Sequence, residues 1–152
     1  MRRAEREITS REEIDEIIRS CKVCRLGLSD GQEPYIVPLC FGYDGKVLYF
    51  HGAPEGRKID ILRGNPRVCF EFDAVDGILE SDEGCHWGIT YKSVIGYGKA
   101  IIVDGTPAKR ESLRVLMAQY SDKVFSFPDD AVERTCIIRV DIEQLTGKKS
   151  VD

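Results

Sequence analysis

The sequence predicts a mainly β, α+β fold: about six antiparallel strands closed into a small Greek-key barrel, with two or three helices against it. Three observations lead there. Asp-Gly pairs at 30-31, 44-45 and 104-105 follow or separate β-rich runs, and each marks a tight turn. Several runs alternate apolar and polar side chains at the strand period of two. Helical spacing is confined to a few short stretches, so strands must supply most of the core. Closure into a barrel then removes the exposed edges that a sheet of short strands would otherwise present.

Composition sets the outer limits. The chain has 152 residues, 42% of them hydrophobic, which fits a single domain over 1–152. With 22 basic against 26 acidic residues the net charge is −4, which argues against nucleic-acid binding through a broad basic surface. No apolar run approaches the ~18 residues that span a bilayer, so no membrane role is expected. Met1-Arg2-Arg3-Ala4-Glu5-Arg6 lacks the apolar stretch of a signal peptide. Most of the six cysteines lie inside apolar runs, and reduced thiols in a cytoplasmic protein are the simplest expectation.

Ser10-Arg11-Glu12-Glu13 reads as a capping box, and Ile14, Ile17, Ile18 and Cys21 behind it share one helical face. Cys24–Leu28, Tyr35–Tyr43 and Lys46–His51 follow as consecutive antiparallel strands. A short helix over about 56–63 is stopped by Gly64-Asn65-Pro66, and Arg67–Phe72 is the next strand. Residues 73–86, with five acids and two glycines, read as a polar loop. Tyr91–Val103 is a long strand, and Thr106 is expected to cap a helix with Pro107 in its first position. Alternation of Cys136, Ile138, Val140 and Ile142 with their neighbours closes the chain as a half-buried strand.

The chemistry concentrates after the third strand, in Leu48-Tyr49-Phe50-His51-Gly52-Ala53-Pro54-Glu55-Gly56-Arg57-Lys58. Here a strand enters a Gly-rich loop that opens a helix with two cations in its first turn. The helix dipole disfavours cations at that end, so Arg57 and Lys58 make sense if an anion sits there, held by free backbone N–H groups and both side chains. Solvated surface charge is the plainer alternative. His51 shares a strand face with Val47 and Tyr49 at the loop entrance, placed either to transfer a proton or simply to bond a nearby carbonyl. Pro38 cannot donate to a ladder and therefore marks an edge or a bulge, where free backbone groups could meet a flat heteroaromatic ligand. Gly96, Gly98 and Ala100 form a small-residue face open to close approach by a ligand or another backbone. Cys21-x-x-Cys24 with Cys85-His86 is a weak zinc pattern because no second Cys-x-x-Cys exists, and no metal is expected.

In combination, LYFHGAPEGRKIDILRGNPRVCFEFD and CHWGITYKSVIGYGKAIIVDGT resemble the pyridoxamine 5′-phosphate oxidase-like split β-barrel flavoproteins, especially the branch related to nitroimidazole resistance proteins. The resemblance covers nearly the whole chain. It implies a six-stranded FMN-binding split barrel, and a homodimer with FMN at the subunit interface. Arg57 and Lys58 match the family's phosphate-binding pair, with Gly56 ahead of them. Val37, Pro38 and Leu39 match the strand along the isoalloxazine ring. His51, Gly52 and Ala53 match the loop beside the flavin, and Tyr91, Lys92 and Ser93 match the strand that completes the pocket. The implied activity is transfer of electrons from NAD(P)H or another donor to a small acceptor such as a nitroaromatic, with His51 the candidate catalytic residue. The alternative is a non-catalytic module binding a flavin, a deazaflavin or haem. The tail from Ile138 to Lys149 lacks the arginine- and tryptophan-containing segment of the oxidases proper, which argues against vitamin B6 oxidation.

Overall fold

The computed structural model of the chain describes residues 4–150. Among the described residues there are eight strands and four α-helices: β1 (Glu7–Ile8), α1 (Arg11–Ser20), β2 (Cys24–Ser29), β3 (Pro34–Leu39), β4 (Gly42–Tyr43), β5 (Val47–Gly52), α2 (Arg57–Gly64), β6 (Arg67–Leu79), β7 (Gly88–Ile102), α3 (Thr106–Ala118), α4 (Asp129–Arg134) and β8 (Cys136–Lys149). All strand pairs are antiparallel, in the order β3-β2-β6-β7-β8-β5-β4, with β1 added alongside β8. The two ends of that order, β3 and β4, are separated in sequence only by Cys40 and Phe41. Three Cα–Cα steps span at most about 11 Å. The sheet must therefore curl until its ends meet: a barrel, split where β3 and β4 do not pair.

The expected class holds, with eight strands rather than six and four helices rather than two or three. The expected Tyr35–Tyr43 strand breaks in two. Phe41 turns fully into the core, and its N–H donates to the Tyr120 hydroxyl at 2.9 Å instead of to a ladder. Half of segment 73–86, expected as a loop, is strand: Asp73 to Leu79 continue the pairing with β7, and the loop is confined to residues 80–86. Thr106 is the first residue of α3; the cap is Gly105, with φ +88°, and it supplies no side-chain bond. The capping box of α1 forms by half. Ser10 Oγ accepts from Glu13 N–H at 3.2 Å, while the Glu13 carboxylate takes Lys149 Nζ at 2.9 Å.

Phe41, Phe50, Phe70 and Phe72 fill the barrel, with Phe41 edge-on to Phe72 at 4.8 Å between centroids. Ile59, Ile61 and Leu62 of α2 and Ile14, Ile17 and Ile18 of α1 add to this core. The small-residue face of β7 serves packing within the chain: a Cβ on Gly96 would lie 2.2 Å from Phe70 Cζ, and one on Gly98 2.3 Å from the Asp141 carbonyl oxygen.

Candidate functional site

β5 delivers its last two residues, His51 and Gly52, opposite Ile137 and Cys136 of β8, and the chain then leaves the sheet. Four residues later Gly56 takes φ +124°, a conformation an L side chain rarely adopts, and caps α2 without a side-chain bond. Its carbonyl accepts Ile59 N–H and Asp60 N–H. The helix thus begins with two cations and no side-chain cap, and Asp60 is the one acid of its first turn.

The two cations are held differently. Arg57 lies over the Tyr35 ring, 4.7 Å from Cζ to the centroid, and its guanidinium pairs with Glu33 at 2.9 Å. Both partners belong to the β2–β3 connection and the start of β3, so Arg57 ties α2 to that edge. Lys58 runs back along the loop: its Cε and Nζ lie 3.2 Å from the position a Cβ on Gly52 would take. A side chain at 52 would press the flexible end of Lys58 aside by a few tenths of an ångström. Val37 and Leu39 are half-buried against the core while Pro38 is exposed, and β3 ends the sheet order as proline at 38 demands. The structure thus sets Gly52, Gly56, Arg57 and Lys58 together where β5 leads into α2, with the Glu33–Tyr35 end of β3 against them; Val37, Pro38 and Leu39 run on from that contact toward Cys24 of β2, and Ala53 lies in the loop.

His51 is exposed and, as the spacing predicts, on the face of β5 carrying Val47 and Tyr49. Strand alternation directs it away from the face over which Lys58 crosses Gly52. Tyr91, Lys92 and Ser93 stand elsewhere. They pair with Val75, Ala74 and Asp73 near the start of β7, whereas Ile102, at its far end, pairs with Ile138 beside the Gly52 loop. Nine residues from Ser93 to Ile102 are about 30 Å of strand. Burial opposes ionisation of Tyr91, but Arg6 and Lys148 outweigh it and hold the phenol below its ordinary value.

Behind the loop a cavity of about 580 Å³ is lined by Pro54, Ile59, Arg63, Val103, Lys109 and Cys136, among others. No local motif announced it, because its walls come from several elements. Glu33 and Tyr35 were likewise not foreseen as partners of Arg57; they are more than twenty residues away in sequence. All six cysteines are free thiols. Cys21 and Cys24 are buried, and burial raises both thiols above their ordinary value, Cys24 far more strongly. Among the described residues the one metal-capable group is Glu83, Cys85 and His86, all exposed, with His86 Nδ1 3.2 Å from Glu83.

Residues 10–149 match the family model described as pyridoxamine 5′-phosphate oxidase. The chain belongs to that family. A candidate 5-nitroimidazole antibiotic resistance protein of Bacteroides thetaiotaomicron is 33% identical to this family member, over 94% of this chain and 86% of that one, with a TM-score of 0.84. An FAD- and haem-binding protein of Mycobacterium smegmatis superposes with a TM-score of 0.87 at 20% identity, over 97% of this chain and 74% of that one, a likeness of fold alone. A curated Rhizobium meliloti protein of uncharacterised function is 36% identical over 64 residues, 42% of either chain. No helix among the described residues is long and apolar enough to cross a membrane.

Proposed function

We infer that this chain binds the phosphate of FMN at the start of α2 and uses the flavin to pass electrons from a nicotinamide or other donor to a small acceptor. The observation that carries this is the uncapped N-terminus of α2, where Gly56, Arg57 and Lys58 come together beside the exposed edge of β3. An oxyanion there would accept backbone N–H bonds, meet Lys58, and draw Arg57 from its pair with Glu33, in a chain whose net charge is −4. Val37, Pro38 and Leu39 offer an edge backbone for a planar ring, and Gly52 and Ala53 allow close approach. These residues fit a flavin phosphate, and bound FMN would supply hydride and electron transfer. Family membership and the nitroimidazole-resistance relative support a flavin and a nitroaromatic acceptor.

Tyr91, Lys92 and Ser93 join the same site only from a second chain, because in their own chain they lie at the other end of β7. A homodimer with two interfacial sites is the arrangement that uses all of them. Purified protein should show flavin absorption bands after incubation with FMN, and anaerobic NADH or NADPH should bleach them. A colourless protein that ignores FMN overturns the reading. Flavin bands that no nicotinamide bleaches would favour a binding module.

A further inference from the structure

β6 and β7 run on beyond the barrel as an arm, from Asp73 to Ser93, in which no side chain is buried. Its tip is a 3-10 turn, Gly84–His86, closed by His86 N–H donating to the Glu83 carbonyl at 2.9 Å and Trp87 N–H to that of Gly84 at 3.3 Å. Such a turn eclipses residues three apart, which sets Glu83 and His86 face to face with Cys85 beside them. His86 Nδ1 lies 3.2 Å from Glu83 Oε2, Cys85 Sγ lies 3.9 Å from the same oxygen, and the three ligand atoms are all within 4.8 Å of one another. Around a tetrahedral zinc ion the N···O and S···O separations are about 3.4 and 3.6 Å. All three side chains are exposed, so small rotations complete the geometry. An exposed carboxylate–imidazole pair would account for the first distance alone, and it gives the thiol no part. Cys21-x-x-Cys24, the other half of the zinc pattern read from the sequence, lies elsewhere. Cys21 Sγ donates to the Asp73 carbonyl at the barrel end of the arm, 3.6 Å away. Six residues of strand, about 20 Å, then separate Asp73 from Leu79.

We propose that Glu83, Cys85 and His86 form a zinc site at the tip of the arm, with the fourth position left to water. The ligand set selects the metal. A thiolate and an imidazole favour zinc over magnesium and calcium, which take oxygen ligands. Zinc accepts the carboxylate as well and has no geometric preference from its d-electrons, so a short turn suffices to hold it. Glu80 and Asp82, exposed beside the turn, add negative charge that attracts a cation. Binding requires the thiolate, so Cys85 releases its proton to solvent as the metal enters. The site lies at the opposite end of β7 from the Gly52 loop, and it needs neither the flavin nor a second chain.

The test reads the thiol and the metal together. Cys40 and Cys85 are the two exposed thiols, so a Cys40→Ser chain leaves Cys85 as the fast target of an alkylating reagent. Stripped of metal by a chelator and then given one equivalent of zinc, that chain should bind one ion per protomer. Alkylation of Cys85 should slow by about tenfold or more, since the bound thiolate is withdrawn from attack. Glu83→Gln and His86→Ala, each added to the same chain, should weaken zinc binding by about 10–100-fold and restore the alkylation rate. Both replace exposed side chains, so neither disturbs the core. Alkylation of Cys85 at one rate with and without zinc overturns the proposal. So does protection that survives both Glu83→Gln and His86→Ala, because the thiol alone would then be holding the ion.

Discussion

His51 and Asp15 show how one side chain's surroundings decide what it can do. His51 is exposed at the mouth of the Gly52 loop and lies outside the core, so removing it should not disturb folding. His51→Ala is expected to leave FMN affinity unchanged while lowering turnover of the electron acceptor; steady-state rates equal to wild type with every acceptor would remove the catalytic role. Asp15 belongs to a polar triad in which Tyr43 donates to it at 2.6 Å and Arg11 at 2.9 Å. Burial alone would raise the Asp15 carboxyl, but those bonds and the charges of Arg11 and Arg19 outweigh it and hold the pKa below the ordinary 3.8. Burial and the facing carboxylate push Tyr43 up to about 12. A depressed folded pKa means stability present above the unfolded value and lost as pH falls through the folded one. Asp15→Asn should cost about 1 kcal/mol in urea denaturation at neutral pH, and the gap should close in acid, as pH falls below the ordinary carboxyl value and through the depressed folded one. A gap that persists in acid contradicts this account of the triad.

Strands and helices were legible where local chemistry dictates them. Gly31, Gly45 and Gly105 take φ of +96°, +98° and +88°, so each Asp-Gly pair turns the chain as expected. The apolar stripe of α1 is buried at Ile14, Ile17 and Ile18. What escaped is what distant contacts decide. The stretch after Phe72 alternates neither apolar nor polar residues, because both faces of the arm leave the barrel, and pairing with β7 alone makes it a strand. α4 has six residues and one buried side chain, Val132, too little for a periodic signal. At the site the basic pair and the loop glycines were readable, whereas the Arg57–Glu33–Tyr35 clasp required the fold. The same dependence on packing fixes Gly96, where a methyl group would collide with Phe70 and with Leu145 at 2.8 Å. The Phe70 ring is 1% exposed and held within the core, so Gly96→Ala should destabilise by about 1–3 kcal/mol in chemical denaturation. A change too small to measure would show that the core is looser than described.

As a molecule, the chain is a closed core with an incomplete surface. Basic loop and arm stand at opposite ends of β7, and the outer face between them exposes Ile95, Tyr97 and Ile101 at 41–43%. In the proposed homodimer, a charge placed at the centre of that face should separate the protomers. Ile95→Asp is expected to sediment as a monomer and lose FMN affinity together; a stable dimer with intact binding would place the interface elsewhere. The most direct test of the whole account compares two ligands that differ only by a phosphate. FMN and riboflavin, titrated against wild type and Lys58→Ala, should differ about 10–100-fold in affinity for wild type, and Lys58→Ala should remove most of that difference. Equal binding of the two ligands by wild-type protein would contradict the claim that the start of α2 grips a phosphate.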